Sequence, residues 1–282
     1  MSASPPPFGV VMPIRNETDA LRRTLPPLLR QLSGLPAKLV CVCNGCQDDS
    51  AQTIRELGGD RVTVIELPRP GKTGALQAGD VVLGDLFPRF YLDADVVLQD
   101  GAFQALLRPL CDGEMDLVGA RRVHRTEGVS WLSAAMAQTW DALPHAHHAG
   151  FLGAVGLSEA GRGQWGAWPE VSGDDIFAAS HIPADRRLIL SEVTASTCPP
   201  SDFAGWVRMR ARWKRGEREL LAMGLELPRP PGQREALLQR MTTPAHAVGA
   251  WAFAAARLCA SLVPDDNQTS WIPDRQGWRE RQ

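Results

Sequence analysis

The sequence predicts an α/β fold, a single Rossmann-like domain in which helices flank a mainly parallel central sheet. Strand and helix signals alternate through the first half of the chain, which is typical of a parallel sheet with helices on both faces. Polar residues also gather where the predicted strands end. Because ligands bind beyond the carboxyl ends of the strands in such sheets, this second observation predicts a site at one sheet edge.

Four apolar segments predict strands, over residues 8–13, 38–43, 62–67 and 90–98. Helix patterns separate these strands, over residues 17–32, 51–57 and 75–83. Pro26 and Pro27 lie inside the first helix, where they predict a break or a kink because proline lacks the N–H donor. Asp49 or Ser50 is expected to cap the second helix.

The second half of the chain is less regular. Residues 124–170 are rich in Gly, His and Trp, so we expect a loop-rich region that lines a cleft. A helix is predicted over residues 206–227, and several prolines follow it. We therefore place one domain at residues 1–227 and a C-terminal helical extension at residues 228–282.

The most apolar late stretch, residues 245–263, has the length of a membrane helix. It contains His246 and Arg257, which are costly to insert into a bilayer. We expect a packed helix, or one that contacts the membrane surface, in preference to a spanning one. The N-terminus lacks the basic start and apolar core of a signal peptide, so we expect a cytoplasmic protein, free or peripheral at the inner face of the membrane.

Net charge and cysteine use narrow the functional classes. The formal net charge of −2 gives no basis for a nucleic-acid surface. The six cysteines lack the pattern of a disulfide framework, which favours a reducing compartment. Cys41, Cys43 and Cys46 have a spacing that invites a zinc site. The first two would share one face of an apolar strand, however, and this favours packing.

Asp93 and Asp95 lie one residue apart in an apolar run that predicts a buried strand. Buried carboxylates are costly unless they are paired, hydrogen-bonded or bound to a metal. If the strand ends near Leu92, both side chains lie on the following loop and point the same way. Such hard oxygen ligands suit a divalent cation that also binds phosphates. The alternative is a turn cap with a solvated neighbour.

Lys72 follows Gly71 in a strand-to-helix turn, where cationic groups and free backbone N–H groups favour an anion. The alternative is a solvated turn lysine. The Gly-x-x-x-x-Gly-Lys-Ser/Thr spacing of a Walker loop is absent, and no Gly-x-Gly-x-x-Gly follows the first strand. The second absence argues against a dinucleotide cofactor.

Asp174 and Asp175 form a second acidic pair, directly before an apolar segment. Adjacent carboxylates repel each other, so at least one requires a cation, a helix N-terminus or a raised pKa. Asp174 could simply cap the helix that follows. A carboxylate near a cleft could instead act as a general base toward a substrate hydroxyl.

A basic helix and a group of histidines complete the candidates. The cationic run from Arg208 to Arg218 predicts either a solvated face or contact with a diphosphate, and Trp213 within it favours the contact. The His-x-His-His spacing allows a transition metal but lacks nearby Cys or carboxylate partners, so a polar loop over the cleft is favoured. Four histidines are left open as contributors to the site: His145, His147, His148 and His181.

Taken together, these segments resemble the family 2 glycosyltransferases of the GT-A fold, from about residue 8 to residue 216. Residues 10–17 and 42–50 resemble the two nucleotide loops of that family. Residues 71–79 are similar to its Gly-Lys-x-x-Ala-Leu-Asn-x-Gly segment, and residues 91–95 to its metal-binding Asp-x-Asp. Residues 153–175 resemble the acceptor segment that ends in the catalytic acidic pair.

The resemblance implies an inverting, metal-dependent glycosyltransferase of the hexosyltransferase type. It would move a sugar from a nucleotide-diphosphate donor to a carbohydrate, lipid-linked or other hydroxyl acceptor. Asp93 and Asp95 would hold Mg²⁺ or Mn²⁺ on the diphosphate, and Asp175, beside Asp174, would be the general base. The implied donor-binding residues are Pro13, Asn16, Glu17, Asn44, Asp48, Lys72, Asp93, Arg212 and Trp213.

Two departures from the family pattern affect this interpretation. Asn44 stands where many members carry an Asp toward the base, so the nucleotide is not fixed as uridine or guanosine. Met209 stands where processive members carry Gln in the Gln-x-x-Arg-Trp segment, and no row of spanning helices follows it. Met209 and the lack of a row of spanning helices both favour single addition over polymerisation.

Two rival functions remain open. A sugar-nucleotide pyrophosphorylase has a similar sheet but would carry a Gly-rich basic loop after the first strand, and residues 12–17 contain no Gly. A catalytically degenerate subunit would only bind the donor. The two intact acidic pairs argue against that second rival.

Overall fold

The chain folds around one eight-stranded sheet in a computed structural model that describes residues 5–148 and 153–263. The strands are β1 (Phe8–Ile14), β2 (Ala37–Asn44), β3 (Val62–Leu67), β4 (Arg89–Leu92), β5 (Val97–Leu98), β6 (Leu117–His124), β7 (Ala154–Leu157) and β8 (Arg187–Thr197). The α-helices in these residues are α1 (Thr18–Leu32), α2 (Ser50–Gly58), α3 (Lys72–Leu83), α4 (Ala102–Cys111), α5 (Trp131–Asp141), α6 (Glu159–Arg162), α7 (Asp174–His181), α8 (Phe203–Ala222), α9 (Gln233–Thr242) and α10 (Ala247–Leu262).

The strand order across the sheet is β3-β2-β1-β4-β7-β6-β8-β5. The first four strands of the chain are parallel to one another. β7 runs antiparallel to both β4 and β6, β8 pairs parallel with β6, and β5 pairs antiparallel with β8. The predicted α/β class is confirmed, and the parallel arrangement holds for the first half of the chain, whereas the second half of the sheet is mixed.

The fourth predicted strand is shorter than the apolar run that predicts it. β4 ends at Leu92, and β5 is a separate strand that pairs elsewhere in the sheet. A turn separates the two strands, with the Val96 N–H donating to the Asp93 carbonyl oxygen (3.2 Å). Because β4 ends at Leu92, both Asp93 and Asp95 lie on the loop at the carboxyl edge of the sheet, as the sequence analysis expects for a strand that ends there.

The prediction that Pro26 and Pro27 could break the first helix is wrong, because α1 continues through both of them. Four leucines of α1 are buried against the sheet: Leu21, Leu25, Leu28 and Leu29. Burial of a leucine side chain contributes about 1.5–3 kcal/mol, so four of them outweigh two missing helix hydrogen bonds.

The expectation that residues 124–170 are loop-rich is also wrong in part. This region contains the 11-residue helix α5 and the strand β7, which lies between β4 and β6. Ser130 begins α5 by accepting a hydrogen bond from the Ser133 N–H (3.2 Å). The later predicted helix is present as α8, which starts at Phe203 and ends at Ala222.

Apolar residues form three clusters. The first lies between the sheet and helices α1, α2 and α4, and the second lies beneath α3 and α7 on the opposite face. The third joins α5, α8 and α10 through Trp140, Trp206 and Phe253. Gly249 permits this packing, because a Cβ atom there would lie 2.3 Å from the Ala135 carbonyl oxygen.

The C-terminal region contributes α9 and α10 in the part that the structure describes. α10 packs against α5 and α8, so the apolar stretch forms a packed helix. None of the described helices has the length and apolar composition to cross a membrane. The domain boundary at residue 227 stays a prediction, and residues 264–282 of the extension lie outside the described residues.

Candidate active site

Three parallel strands deliver polar residues to one edge of the sheet. β1, β2 and β4 are neighbours in the order β2-β1-β4, and they end at Ile14, Asn44 and Leu92. The loops that follow carry most of the polar residues that the sequence predicts to bind a donor. The prediction that these loops meet at the carboxyl edge is confirmed by the parallel pairing.

Asn44, at the end of β2, connects the end of β1 with the turn that precedes α3. Its Nδ2 donates to the Ile14 carbonyl oxygen (2.8 Å), and its Oδ1 accepts from the Gly71 N–H (3.0 Å). The side chain is almost fully buried, with 1% of the residue exposed. These contacts hold the turn before Lys72 against the end of β1.

Asp48 joins the first two loops from the other side. Its Oδ2 accepts from Thr18 N and Oγ1 (3.2 and 2.8 Å), and its Oδ1 accepts from Ser50 N and Oγ (3.2 and 2.6 Å). Partial burial would raise the pKa of Asp48, but the hydrogen bonds from Ser50 and Thr18 outweigh burial and lower the pKa. Asp49 stands at the predicted cap position but makes no side-chain cap hydrogen bond.

The β1–α1 loop has an unusual backbone at Asn16, where φ is +54°. Its Oδ1 accepts from the Gln47 N–H (2.6 Å), which holds the conformation in place. The backbone N–H of Asn16 donates to Cys46 Sγ (3.4 Å), and that thiol donates to the Ile14 carbonyl oxygen (3.4 Å). Glu17 follows as a buried residue whose N–H donates to Ser50 Oγ (2.8 Å).

Lys72, the first residue of α3, links the two acidic pairs. Its Nζ lies 2.7 Å from Asp93 Oδ1 and 2.9 Å from Asp174 Oδ1. Burial alone would lower the pKa of Lys72, but the surrounding carboxylates, Asp174 and Asp93 first, raise it. Lys72 is therefore a charged ammonium within a group of carboxylates, which excludes the solvated turn lysine.

The Asp93–Asp95 turn presents one accessible carboxylate and one that is held from behind. The Asp93 side chain is 30% exposed, while Asp95 Oδ2 accepts a hydrogen bond from Thr197 Oγ1 on β8 (3.1 Å). Burial and then the charge of Asp93 raise the pKa of Asp95, and Arg122 opposes this shift. Gly153 lies close by, where a Cβ atom would be 3.2 Å from Asp93 Oδ2.

Asp174 and Asp175 occupy the first turn of α7, with Gly173 at the cap position. Asp174 is thus not the helix cap that the sequence allowed, because it forms an ion pair with Lys72. Burial, followed by the charge of Asp174, raises the pKa of Asp175 to about 7. Lys72 opposes that shift, and Asp175 Oδ1 also accepts from the Ile176 N–H (2.9 Å).

α8 passes close to the second acidic pair because Gly216 has no side chain. A Cβ atom at Gly216 would lie 3.2 Å from the Gly173 nitrogen. Arg212 lies one helical turn earlier, on the same face of α8. Burial lowers the pKa of Arg212, while the charges of Asp93 and Asp95 oppose this shift.

Trp213 lies on a different side of α8 from Arg212. It packs in the third apolar cluster, with its ring centroid 6.4 Å from that of Trp140. The Arg210 guanidinium lies 5.2 Å from the centre of the Trp213 ring, and burial lowers the pKa of Arg210 to about 10. The cationic run is therefore divided between the site and the helical cluster, and a donor-binding role of Trp213 stays a prediction.

A pocket at the sheet edge is lined by Asp93 of the first acidic pair and by both members of the second pair. Its polar lining is Lys72, Asp93, Asp174 and Asp175, and its other lining residues are Pro13, Leu76, Tyr91, Leu92, Gly153, Val155, Trp168 and Ala178. Five of the residues predicted from the sequence thus line one pocket. The sequence analysis missed Tyr91 and Trp168, although Tyr91 is the single tyrosine of the chain and directly precedes the acidic motif.

His145 is not part of a polar loop over the pocket. His145 is buried beside Trp140, and burial lowers its pKa to about 3, so it is a neutral core residue. The Nδ1 atom of His181 lies 2.8 Å from the Phe177 carbonyl oxygen within α7.

Within residues 5–148 and 153–263, no cluster of three or more His, Cys, Asp or Glu side chains forms a metal site. Cys41 and Cys43 are buried in the first apolar cluster, which confirms the packing interpretation.

The sheet topology and the acidic edge define the class of protein as a glycosyltransferase of the GT-A fold. The chain belongs to glycosyl transferase family 2, whose family model matches residues 9–154, just over half of the chain. A comparison with curated protein sequences gave no match.

Solved structures with the same fold include a mannosyltransferase and TarS. A mannosyltransferase from Pyrobaculum calidifontis, in complex with GDP-Man and Mn²⁺, aligns with a TM-score of 0.59 and 17% identity, over 94% of this chain and 77% of its own. TarS 1–349 from S. aureus aligns with a TM-score of 0.51 and 12% identity, over 90% of this chain and 71% of its own. TarS 1–349 in complex with UDP-GlcNAc gives 0.51 and 11%, over 91% and 92%.

Proposed function

We propose that this glycosyltransferase adds a single sugar, with inversion, from a nucleotide-diphosphate donor to an acceptor hydroxyl. The observation that carries the proposal is the Lys72 bridge between Asp93 and Asp174, which brings a candidate donor site and a candidate base into one pocket. Inversion requires the base and the leaving group to act on opposite faces of the sugar. Separate acidic pairs, one on the turn between β4 and β5 and one on α7, are suited to that division.

The donor side of the site would consist of the loops at the ends of β1 and β2 together with the proposed metal ligands, Asp93 and Asp95. Pro13, Asn16, Glu17, Asn44 and Asp48 would form the nucleotide pocket, with Asn44 and Asp48 acting mainly by holding the loops. Lys72 and Arg212 would stabilise the diphosphate, since cationic side chains pair with phosphate oxygens. Trp213 is the remaining candidate on this side.

Asp93 and Asp95 fit a divalent cation by their chemistry. They offer hard carboxylate oxygens, and Mg²⁺ typically binds one or two carboxylates together with substrate phosphates and water. When bound, Mg²⁺ or Mn²⁺ would offset the charge that develops on the leaving nucleotide. The mannosyltransferase neighbour is in complex with GDP-Man and Mn²⁺, which supports this assignment.

Asp175 would accept the proton of the acceptor hydroxyl. Its pKa of about 7 suits a general base that is ionised at neutral pH and still basic enough to take a proton. Asp174 would remain paired with Lys72 and keep that ammonium in position. The acceptor would be a carbohydrate, a lipid-linked compound or another hydroxyl compound, with no role for nucleic acid.

A thermal-shift screen tests the donor assignment. Nucleotide sugars with UDP or GDP, each with and without Mn²⁺, should raise the Tm only when the correct donor binds, since ligands of the folded state stabilise it. The Asp93→Asn variant should lose the Mn²⁺-dependent part of that shift. A wild-type protein that shows no Mn²⁺-dependent shift with any nucleotide sugar would contradict the metal-assisted donor site.

The outward face of α10 supports a peripheral position at the inner face of the membrane. Val248, Trp251, Leu258 and Leu262 are 56%, 61%, 67% and 77% exposed along this helix. Residues 228–263 hold four Arg and one Glu, so their formal charge is +3 although the whole chain carries −2. Apolar side chains flanked by positive charge suit the surface of an anionic bilayer.

Vesicle sedimentation tests this membrane contact. The wild-type protein should sediment with vesicles of phosphatidylcholine and phosphatidylglycerol, and high salt should weaken the association. Trp251→Glu should abolish the association and leave the Tm unchanged, because the side chain is 61% exposed. Val81→Glu, at a 72% exposed residue of α3, is the matched control. Equal sedimentation of both variants would refute this orientation.

A further inference from the structure

Asp80 is a buried carboxylate that the sheet-edge chemistry described so far does not use. It lies on α3, two turns after Lys72, and the residue is 7% exposed. Its two oxygens accept four hydrogen bonds. Oδ1 accepts from Arg89 Nη1 (2.6 Å) and from the Tyr91 hydroxyl (2.8 Å). Oδ2 accepts from Arg162 Nε (2.9 Å) and from Trp168 Nε1 (2.9 Å).

Two buried arginines make the loss of the Asp80 carboxylate destabilising. Arg89 and Arg162 are 3% and 8% exposed, so one carboxylate balances two buried guanidinium groups. Arg89 also donates to the Gly84 carbonyl oxygen (2.6 Å), and Arg162 donates to the Trp165 carbonyl oxygen (2.9 Å). A buried ion-pair network adds little net stability compared with apolar packing, although removing one partner is strongly destabilising. Its presence therefore points to a role in fixing geometry.

The two uncharged donors to Asp80, the Tyr91 hydroxyl and Trp168 Nε1, connect this network with the pocket. Tyr91 and Trp168 both line the pocket that holds Lys72, Asp93 and Asp175. Their rings meet edge to face, with centroids 5.3 Å apart and an interplanar angle of 77°. The backbone N–H of Trp168 donates to Gln77 Oε1 (3.0 Å), so α3 holds this tryptophan at two points.

We propose that Asp80 is a positioning residue that fixes Trp168 and Tyr91, which are 8% and 7% exposed, as the acceptor-side wall of the pocket. The proposal rests on the function proposed above, since a base at Asp175 must meet the acceptor hydroxyl inside this pocket. An aromatic wall beside a base suits a sugar, whose C–H face is apolar and whose hydroxyl groups are polar. The class of acceptor that we expect this pocket to bind is a glycoside.

The Arg162 guanidinium completes the support for the wall from behind. It lies 5.0 Å from the centre of the Trp165 ring and 5.4 Å from that of Trp168. Trp165 in turn packs edge to face with Trp168, at a centroid distance of 5.1 Å. The wall is thus held by one carboxylate, one guanidinium and a second indole, and Asp80 is the group that joins them.

A double-mutant cycle with two reactions tests the proposal. The donors are UDP-GlcNAc and GDP-mannose with Mn²⁺, and the acceptor probes are 4-nitrophenyl glycosides of glucose, mannose and N-acetylglucosamine. Transfer to the glycoside and hydrolysis of the donor by water are measured for Asp80→Asn, Trp168→Phe and the double variant. Tyr91→Phe is included because it removes only the hydroxyl that Asp80 binds.

Each single variant should raise the KM for the glycoside by about tenfold, as loss of one buried hydrogen bond does, and change donor hydrolysis by less than about twofold. The effects of Asp80→Asn and Trp168→Phe should be less than additive in the double variant, because Asp80 acts in part through Trp168 and in part through Tyr91. If Asp80→Asn fails to fold, Trp168→Phe and Tyr91→Phe must still raise the KM for the glycoside without slowing hydrolysis.

Several outcomes would overturn the proposal. These are additive effects in the cycle, equal loss of hydrolysis and transfer, and unchanged kinetics in both aromatic variants. Donor hydrolysis by the wild-type protein without transfer to any glycoside would refute the sugar-ring acceptor. Absence of both reactions with every donor would instead refute the function on which the proposal rests.

Discussion

The surroundings of Asp175 support the role in proton transfer that we propose for this carboxylate. The adjacent Asp174 forms an ion pair with Lys72. Burial and then the charge of Asp174 raise the pKa of Asp175, whose Oδ1 accepts from the Ile176 N–H. Two adjacent carboxylates thus differ in their surroundings, and different surroundings separate the roles of paired acids. Sequence alone identifies the pair but not which member faces the lysine, because that depends on how α3 and α7 approach each other.

The raised pKa of Asp175 predicts opposite pH trends for rate and stability. Transfer should slow as the pH falls below about 7, because the base becomes protonated. The folded state holds this proton more tightly than the unfolded state, so the stabilising effect of protonation is lost as the pH rises from near 3.8 to about 7. Asp175→Asn removes the ionisation, and its Tm should exceed that of the wild type most at about pH 8.

The measurement for this prediction is a series of thermal melts between about pH 4 and pH 8. The Tm difference between Asp175→Asn and wild type should shrink toward zero at the acidic end. Asp60→Asn, at an exposed residue, is the control for the Asp-to-Asn substitution itself. A Tm difference that stays constant across the series would contradict the raised pKa.

At the scale of the element, α8 depends on one glycine for its distance from α7. Gly216 faces the Ser172–Gly173 backbone, and Glu219 Oε2 accepts from the Ser172 N–H on the same side (2.7 Å). Arg212 lies on this face of α8, and the charges of Asp93 and Asp95 act on it, whereas Trp213 packs with residues of α5 and α10. The helix therefore connects the site with the C-terminal cluster.

Gly216→Val should separate α8 from α7 and lower the rate of transfer by about tenfold or more, because small displacements of positioned charges are costly. It should also destabilise the fold by about 1–3 kcal/mol through overpacking. Enzyme assays and denaturant titration measure the two effects. Gly74→Ala is the control for helix propensity, since a Cβ atom there meets open space, and it should not destabilise the protein. Normal transfer by Gly216→Val would contradict the role given to α8.

The elements also show what sequence patterns could and could not predict. Strand and helix alternation predicts β1 to β4 and α1 to α3 well, because each apolar pattern matches a local period. The two prolines of α1 mislead, since tertiary burial of leucines outweighs a local rule. β7 and the antiparallel half of the sheet were missed because short strands such as Ala154–Leu157 have no periodic signal of their own.

For the whole molecule, the parallel half of the sheet explains why separate motifs meet. The ends of β1, β2 and β4 fall at one edge, and α7 and α8 enclose that edge from the second half of the chain. Strand ends could therefore be predicted as one site from sequence. Tyr91 and Trp168 were missed because their position depends on contacts with Asp80 across 11 and 88 residues of sequence, which no local motif records.

The most direct test of the account compares transfer and donor binding in Asp175→Asn. Transfer of the sugar to the acceptor should fall by about a hundredfold or more, as loss of a general base predicts. The Mn²⁺-dependent Tm shift with the donor should be retained, because Asp93 and Asp95 are unchanged. Transfer at the wild-type rate by Asp175→Asn would contradict the assignment of Asp175 as the base.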